Sequence, residues 1–380
     1  MSTQEKIIPI ANQILKKHEL CDNCLGRLFS KKLHLSSNKL LGKKLQKNSK
    51  SKHTCYICKN IFDDLPRLLK SMTDASSQYS FKSFSVGVMV KPSIVDRDDV
   101  IRSKFKLRGI DSIKTDISKE LAKAFSRKTK KILDTVDSDV TFTLNLKDDT
   151  CYIRAKSIVF SGRYVKSARG IPQKQKSCGN CLGKGCRLCN FHGISEFNSI
   201  EGIISKFLFE KLGGTTAKFT WIGGEDKTSL VLGKGRPFFV KIQNPNKRTL
   251  RSFSIKSEFV QISNLKIIRG SPKQPLKFKS IIKMKIYSDS KINSNILLKL
   301  KTLTKQPIVV YETSGKRSEK KIFSLKYKKI SKNDFTLLIK ADGGLPVKRF
   351  VSGDDVSPSI SKIFKRVCTC KEFDFLDVEV

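Results

Sequence analysis

Two groups of residues in this chain have the types and spacing to do chemistry, one through thiolates and one through a carboxylate. Cys21-Asp22-Asn23-Cys24 and Cys55-Tyr56-Ile57-Cys58 form two Cys-x-x-Cys pairs, whose short turns each aim two sulfurs at one point. Four soft ligands so placed suit a tetrahedral zinc ion and leave no position for water or substrate, so the metal expected there is structural. The plainer reading is four buried or incidental thiols. A second cluster, Cys178, Cys181, Cys186 and Cys189, sits in Cys-Gly-Asn-Cys-Leu-Gly-Lys-Gly-Cys-Arg-Leu-Cys, where two glycines between the pairs permit a tight reversal. It reads as a second zinc site, with a glycine-rich RNA-contacting loop or a site without metal as alternatives. Cys151, Cys368 and Cys370 read as structural or incidental, and His192 as a solvent-facing neighbour of the cluster.

The carboxylate lies in Trp221-Ile222-Gly223-Gly224-Glu225-Asp226, which is followed by Leu232-Gly233-Lys234-Gly235-Arg236-Pro237-Phe238. Glycines let a backbone approach a flat substrate closely. An acid placed among cations weakens binding to a polyanion, and chemistry is one reason to keep it; a solvated turn with incidental acids is the other reading. Gly233-x-Gly235 alone is not a phosphate loop, since it lacks the third glycine and the lysine that follows.

The surroundings favour a polyanionic partner. Lys and Arg number 76 against 34 Asp and Glu, giving a formal charge of +42, and neutralising phosphates releases their counterions. A surface adapted to high salt would run acidic instead. No apolar run approaches the roughly 18 residues of a membrane span, and the first residues lack a charged-then-apolar signal pattern. An intracellular, cytoplasmic protein without membrane contact is therefore expected, in which 11 cysteines mean metal thiolates more readily than disulfides.

The elements that must hold these groups follow from periodicity. Residues 1–20 predict an amphipathic helix through Ile7, Ile10, Ala11, Ile14 and Leu15. A second helix, entered from Ser36-Ser37, carries Leu40, Leu41 and Leu45, and a polar Lys/Ser run leads on to Cys55. Phe84–Val90 alternates as a strand, Ile117, Leu121 and Phe125 mark a helix, and Val140–Leu146 and Cys151–Phe160 are strands. This is a small α/β RNA-binding layer. Further on, Ser199 caps a helix that Gly213-Gly214 ends. Strands are expected over 217–222, 238–242, 281–287, 308–311 and 335–339, giving a second α+β domain on an antiparallel or mixed sheet. No repeats are visible.

The glycine and acid block resembles the Gly-Arg-Glu-Asp … Leu-Gly-x-Gly-Arg-Pro-Phe signature of the archaeal and eukaryal tRNA pseudouridine synthases that act on positions 54 and 55 of the T arm. Gly162-Arg163-Tyr164-Val165-Lys166 with Ile171-Pro172-Gln173, the Cys178–Cys189 segment, Asn244-Pro245-Asn246-Lys247-Arg248, Asp342-Gly343-Gly344-Leu345-Pro346-Val347-Lys348 and Val351-Ser352-Gly353-Asp354 resemble that family in the same order. The N-terminal cysteine pairs resemble its zinc module, beside a THUMP-type fold.

The resemblance implies an isomerase that cleaves the uracil–ribose bond, turns the base and rejoins it through carbon, with no organic cofactor. It places Asp226 in the catalytic position and Lys348 as its basic partner, with a buried cation as the ordinary means of keeping a carboxylate ionised. Phe323, in Lys320-Lys321-Ile322-Phe323, stands where the family has a tyrosine, and it reads as a stacking platform for the flipped base or as a core residue. Gly223, Gly224, Arg236, Lys166, Arg163, Lys247 and Arg248 are implied substrate contacts, though each cation could be an ordinary solvated charge. Gly224 replaces the family's arginine and Pro346 a common tyrosine. The expected organisation is a zinc-binding, THUMP-containing domain over 1–165, a Cys-rich linker over 166–198 and a pseudouridine synthase domain over 199–380, in a monomer holding one or two structural zinc ions. The competing expectation is a non-catalytic, zinc-stabilised tRNA-binding protein or chaperone. A methyltransferase or thiolation enzyme would need a nucleotide loop that is not seen.

Overall fold

The stripe Ile7, Ala11, Ile14 is buried on one side of α1 (Thr3–Leu15), as its spacing requires. The computed structural model describes residues 3–30, 37–46, 54–250, 254–272, 275–312 and 315–380. Ser36 and the Lys/Ser run over 47–53 lie outside the described residues. The chain divides into two units, Met1–Lys156 and Ser157–Val380, each with its own apolar core.

The first unit continues with α2 (Asp22–Ser30), α3 (Asn38–Leu45), α4 (Leu65–Ala75), β1 (Ser83–Met89), α5 (Pro92–Lys104), α6 (Ile113–Thr129), β2 (Ile132–Leu133), β3 (Val140–Asn145) and β4 (Thr150–Ala155). Its sheet runs β2-β1-β3-β4, with β1 parallel to both neighbours and β4 antiparallel to β3. Phe125 of α6 packs its ring 4.9 Å from Phe84 and 5.0 Å from Phe142, which joins helix to sheet. Helices α2 and α3 cross in backbone contact, since a Cβ on Gly26 would stand 1.8 Å from the Asn38 carbonyl oxygen and one on Gly42 1.9 Å from that of Asp22. Arg27 is buried and ion-pairs with Asp98, while its Nη1 donates to the Asp111 carbonyl at 2.7 Å. That pair fastens the cysteine-bearing helix to α5 and to the segment leading into α6.

The second unit comprises β5 (Ile158–Lys166), α7 (Ile200–Leu212), β6 (Ala217–Trp221), β7 (Val231–Ile242), β8 (Ile255–Lys256), β9 (Val260–Ile268), β10 (Lys279–Ser288), α8 (Ser294–Leu298), β11 (Ile308–Tyr311), β12 (Arg317–Lys320), β13 (Ile322–Lys329), β14 (Asp334–Asp342), α9 (Val347–Ser352), β15 (Val356–Ser357), α10 (Ile360–Phe364) and β16 (Cys368–Glu379). Among the described residues nine strands make one mixed sheet, β13-β14-β10-β16-β7-β5-β9-β8 with β6 also on β7, and β12-β11-β15 make a small one. Ser199 caps α7 by accepting from Gly202 N at 2.9 Å, and Gly213 closes it at φ 68°. Along β10, Ile282, Met284 and Ile286 face the core while Lys279, Lys283 and Lys285 are exposed, so one sheet face is a row of cations.

The two units divide at 156/157, whereas the sequence places its boundary at 165/166. The segment 151–160 is two strands, and the later one, β5, pairs with β7 and β9 throughout its length. The segment 166–198 is likewise part of the second unit: Pro172 O and Gln173 O accept from Ile200 N and Glu201 N at 3.0 Å, at the start of α7.

The two halves of the large sheet meet at one parallel rung, Phe375↔Val231, between β16 and β7. Strand β5 lines one edge of β7 from Ile242 down to Val231. The other edge changes partner: β6 occupies it from Ile242 to Phe238, and β16 reaches it at Val231. The chain between β6 and β7, residues 222–230, fills the gap.

Candidate active site

Asp226 lies in that gap. Its Oδ2 accepts from Lys348 Nζ at 2.6 Å, and its Oδ1 accepts from both the backbone N and the Oγ1 of Thr228 at 3.0 Å. The ammonium and then the Thr228 N–H hold the carboxyl down to about 2, so it is ionised at neutral pH. Lys348 is delivered by the first turn of α9, whose backbone follows β14 through the turn at Gly343-Gly344. The side chains of Asp226 and Lys348 are 29% and 56% exposed. The cation is thus not buried as expected: direct contact, rather than a desolvated charge, fixes the protonation state.

Beneath the loop lies a buried polar network. The Glu225 side chain is wholly enclosed, with Lys166 Nζ 2.9 Å from Oε1, Arg236 Nε 3.5 Å from Oε2, and the Tyr164 hydroxyl donating to Oε2 at 2.9 Å. Gln173 Nε2 donates to that hydroxyl at 2.9 Å. The Lys166 ammonium also donates to the carbonyl oxygens of Ile171 at 3.0 Å and Asp226 at 3.2 Å, so one buried cation fixes the Glu225 side chain and the Asp226 backbone together. Arg236 Nη1 donates to Ile222 O at 2.9 Å, and its guanidinium carbon sits 4.2 Å from the centre of the Phe375 ring. From outside, Arg169 grips Asp374 through Nη1 at 2.7 Å and Nη2 at 3.0 Å, and Asp374 Oδ1 accepts from Leu230 N at 2.9 Å. Asp226 is therefore held at the backbone by charges and offered at the side chain to solvent.

The Pus10 C-terminal family signature matches residues 159–379, and the archaeal Pus10 THUMP domain signature matches 68–145. The chain belongs to the Pus10 family. It is 66% identical to the tRNA pseudouridine synthase Pus10 of Nitrosopumilus maritimus (strain SCM1) over all of both chains. It is 34% identical to that of Cenarchaeum symbiosum (strain A) over 95% of this chain and 90% of the relative. The Pus10 of Methanocaldococcus jannaschii is 30% identical over 96% of this chain and 93% of its own. The Pus10 THUMP domain is thus the β1–α5–α6–β3 region of the first unit, and the Pus10 C-terminal region is the nine-stranded unit.

Several cations that sequence places at the Pus10 substrate have other work. Lys166 and Arg236 are fully buried on Glu225, out of reach of any RNA backbone. Arg163 donates through Nε to Lys234 O at 2.8 Å and through Nη2 to Gly235 O at 2.7 Å and to Val378 O, stitching β5 to β7 and β16. Lys247 and Arg248 follow the Ile242 end of β7, whereas the Asp226 loop enters β7 at Val231, so the strand's length separates them from the carboxylate. Phe323 is 38% exposed beside a bulge in β13, with Lys279 Nζ 4.4 Å from its ring centre, and is not a core residue. The two glycines differ. At Gly223, with φ +75°, a Cβ would lie 2.6 Å from Phe278 Cζ and 2.8 Å from Arg236 Nη1, whereas Gly224 opens onto free space.

Both cysteine sets come together, with all four sulfurs of each within 4.8 Å of one another. Zinc–sulfur bonds of about 2.3 Å in a tetrahedron set sulfurs ~3.8 Å apart; Cys21 and Cys58 are separated by 3.6 Å, and Cys181–Cys189 and Cys186–Cys189 by 3.8 Å. In the second set Gly185 N donates to Cys181 Sγ at 3.2 Å, and Cys186 N and Gly193 N to Cys189 Sγ at 3.3 Å, bonds that favour thiolates. Both donor sets fit a metal ion. His192 is not solvent-facing: its ring stacks 3.9 Å from Phe209 and its Nδ1 bonds Thr215 O at 2.9 Å. Among the described residues no helix is long and apolar enough to cross a membrane.

Proposed function

We propose that this protein is a tRNA pseudouridine synthase that isomerises uridine to pseudouridine at positions 54 and/or 55 of the T arm, with Asp226 as the catalytic carboxylate. One observation carries the reading: an ionised, partly exposed Asp226, 2.6 Å from Lys348, is fixed at a seam of the sheet by a buried network that leaves only its carboxylate facing outward. Family membership supplies the reaction class.

The flipped uridine presents its ribose C1′ to Asp226. The C1′–N1 bond breaks, the base turns, C1′–C5 forms, and the C5 hydrogen is replaced by one on N1, so atoms balance without redox change. Both carboxylate oxygens begin with partners, and Lys348, on a side chain more than half exposed, is the one that can swing aside as ribose enters. Phe323 offers a ring for the extruded base, and the exposed lysines of β10 with Lys326 and Lys328 of β13 offer charge to the phosphates. Each cysteine set holds a structural zinc ion, no organic cofactor takes part, and the protein works in the cytoplasm as a monomer.

The test is single-turnover conversion of an unmodified tRNA transcript, mapped at nucleotide resolution. Wild type converts T-arm uridine, while Asp226→Asn binds tRNA and converts none. Wild type that binds tRNA without converting any uridine would make this a non-catalytic tRNA-binding protein.

A further inference from the structure

The Cys178–Cys189 loop displays side chains that the active site does not use. Leu182, Leu188 and Phe191 are 78%, 80% and 52% exposed. Leu182, Asn190 and Phe191 hold φ of 50°, 49° and 61°, a left-handed conformation that non-glycine residues adopt only where their surroundings impose it. These turns carry the cysteine set, and they face apolar groups into water instead of folding them under. Behind them the loop is closed by Cys178 N donating to Gly193 O at 2.8 Å and is fixed to the unit by His192, whose Nδ1 bonds Thr215 O at 2.9 Å and whose ring stacks on Phe209 of α7. The result is a rigid mount with an apolar front.

Its charge selects the occupant. Between 172 and 195 the sequence carries Lys174, Lys176, Lys184 and Arg187, all exposed, and no Asp or Glu. A ligand with flat apolar faces on an anionic backbone complements that surface, and an unpaired nucleotide is such a ligand. We infer that the Cys178–Cys189 loop is a second RNA-binding surface, distinct from the Asp226 site, that takes unpaired nucleotides with bases against Leu182, Leu188 and Phe191 and phosphates against Lys184 and Arg187. The inference rests on the proposed tRNA substrate.

The test uses the full chain and an unmodified tRNA transcript. Leu182→Asn/Leu188→Ser/Phe191→Asn alters only exposed positions and keeps residue types that tolerate left-handed backbone at 182 and 191. With wild-type metal content it is expected to bind tRNA roughly tenfold more weakly, at an unchanged salt slope and an unchanged maximal single-turnover rate. Lys184→Gln/Arg187→Gln is expected to lower the slope of log affinity against log salt by about 0.7 for each phosphate contact to a single strand. Ultraviolet cross-linking should join residues 182–191 to unpaired nucleotides in the wild type alone. A triple variant with wild-type affinity and cross-links overturns the inference and leaves the surface to a protein partner. Wild type that cross-links through this loop but converts no uridine upholds it while the catalytic reading fails, and wild type that binds no tRNA overturns both.

Discussion

Lys166 is buried, and its ammonium ion-pairs with Glu225 Oε1 and donates to two carbonyl oxygens, Ile171 O and Asp226 O. Lys166→Met keeps the aliphatic stem and deletes the charge, leaving the enclosed Glu225 carboxylate one cation short. Removing one member of a buried pair costs about 3–5 kcal/mol. For a unit the size of Ser157–Val380 each kcal/mol moves the midpoint by about 2–4 °C, so thermal unfolding should fall by roughly 10 °C. The chain's single tryptophan, Trp221, lies in this unit with its ring 5.8 Å from that of Tyr164, and its fluorescence reports the transition directly. In Lys166→Met/Glu225→Gln the pocket regains its original net charge, and most of the lost stability should return. Catalysis should not return, because the Asp226 carbonyl still lacks its donor and a displacement near 1 Å costs on the order of 100-fold in rate. Single-turnover rates should therefore drop in both variants while tRNA affinity stays within about twofold of wild type. A single variant that melts within about 2 °C of wild type, or a double variant with full rate, refutes the positioning role.

In Lys348→Met the Asp226 carboxyl should titrate above its present value of about 2, toward the usual carboxylate range; carboxyl-carbon NMR between pH 2 and 5 reads this, and equal midpoints would reject the ion pair as cause. The sign follows: a lowered folded value stabilises above the unfolded one and is lost as pH falls through about 2, so at pH 7 any rate loss in this variant reports the missing cation and not a neutral Asp226. Asp116 runs the other way, raised by burial to about 6, so its contribution is complete below pH ~4 and is lost as pH rises through about 6. Asp116→Asn should stabilise the first unit near pH 7.5, by at most ~3 kcal/mol at 1.36 kcal/mol per pKa unit, and change little at pH 4; hydrogen exchange of β1 and α6 amides checks it. Elemental analysis should find two zinc ions per chain, one lost in Cys24→Ser and the other in Cys186→Ser, and a single ion in wild type would exclude one cluster. Gly224→Arg should fold within ~0.5 kcal/mol of wild type and tighten tRNA binding, whereas Gly223→Ala should destabilise because its Cβ meets Phe278 and Arg236; equal stabilities would reject the contrast.

The cysteine sets were legible from spacing alone, because a Cys-x-x-Cys turn fixes its sulfurs locally. Helices with one clean apolar stripe, α1, α6 and α7, were legible too, and so were strands with strict alternation such as β10 and β14. Helix α2 was not, since its residues read first as a cysteine pair, and only the Phe238–Ile242 end of β7 looked like a strand because Gly233-Lys234-Gly235 breaks the pattern. In β16 two register shifts against β10 set Phe373, Phe375 and Val378 on the core side among charges, so no simple period survives. The glycine-rich block around Asp226 is legible by itself, but its pairing with Lys348, 122 residues further on, is legible only through family resemblance. The burial of Lys166 and Arg236 has no sequence signal, because a buried cation and a solvated one look alike until their carboxylate, Glu225, is placed. Arg169 and Asp374, 205 residues apart, left no sequence signal at all.

The single rung between β7 and β16 also sets a timetable for synthesis on the ribosome. Leu230 waits for Asp374, 144 residues later, before its N–H is bonded, and at 5–20 residues per second that interval is roughly 7–30 s. Throughout it the strands β5, β6 and β7 can pair while the Asp226 loop has neither Lys348 nor its outer clasp. A nascent or truncated chain that already carries the cysteine loop and its basic surface thus holds an unassembled carboxylate, so RNA captured during translation meets a protein able to bind before it is able to react.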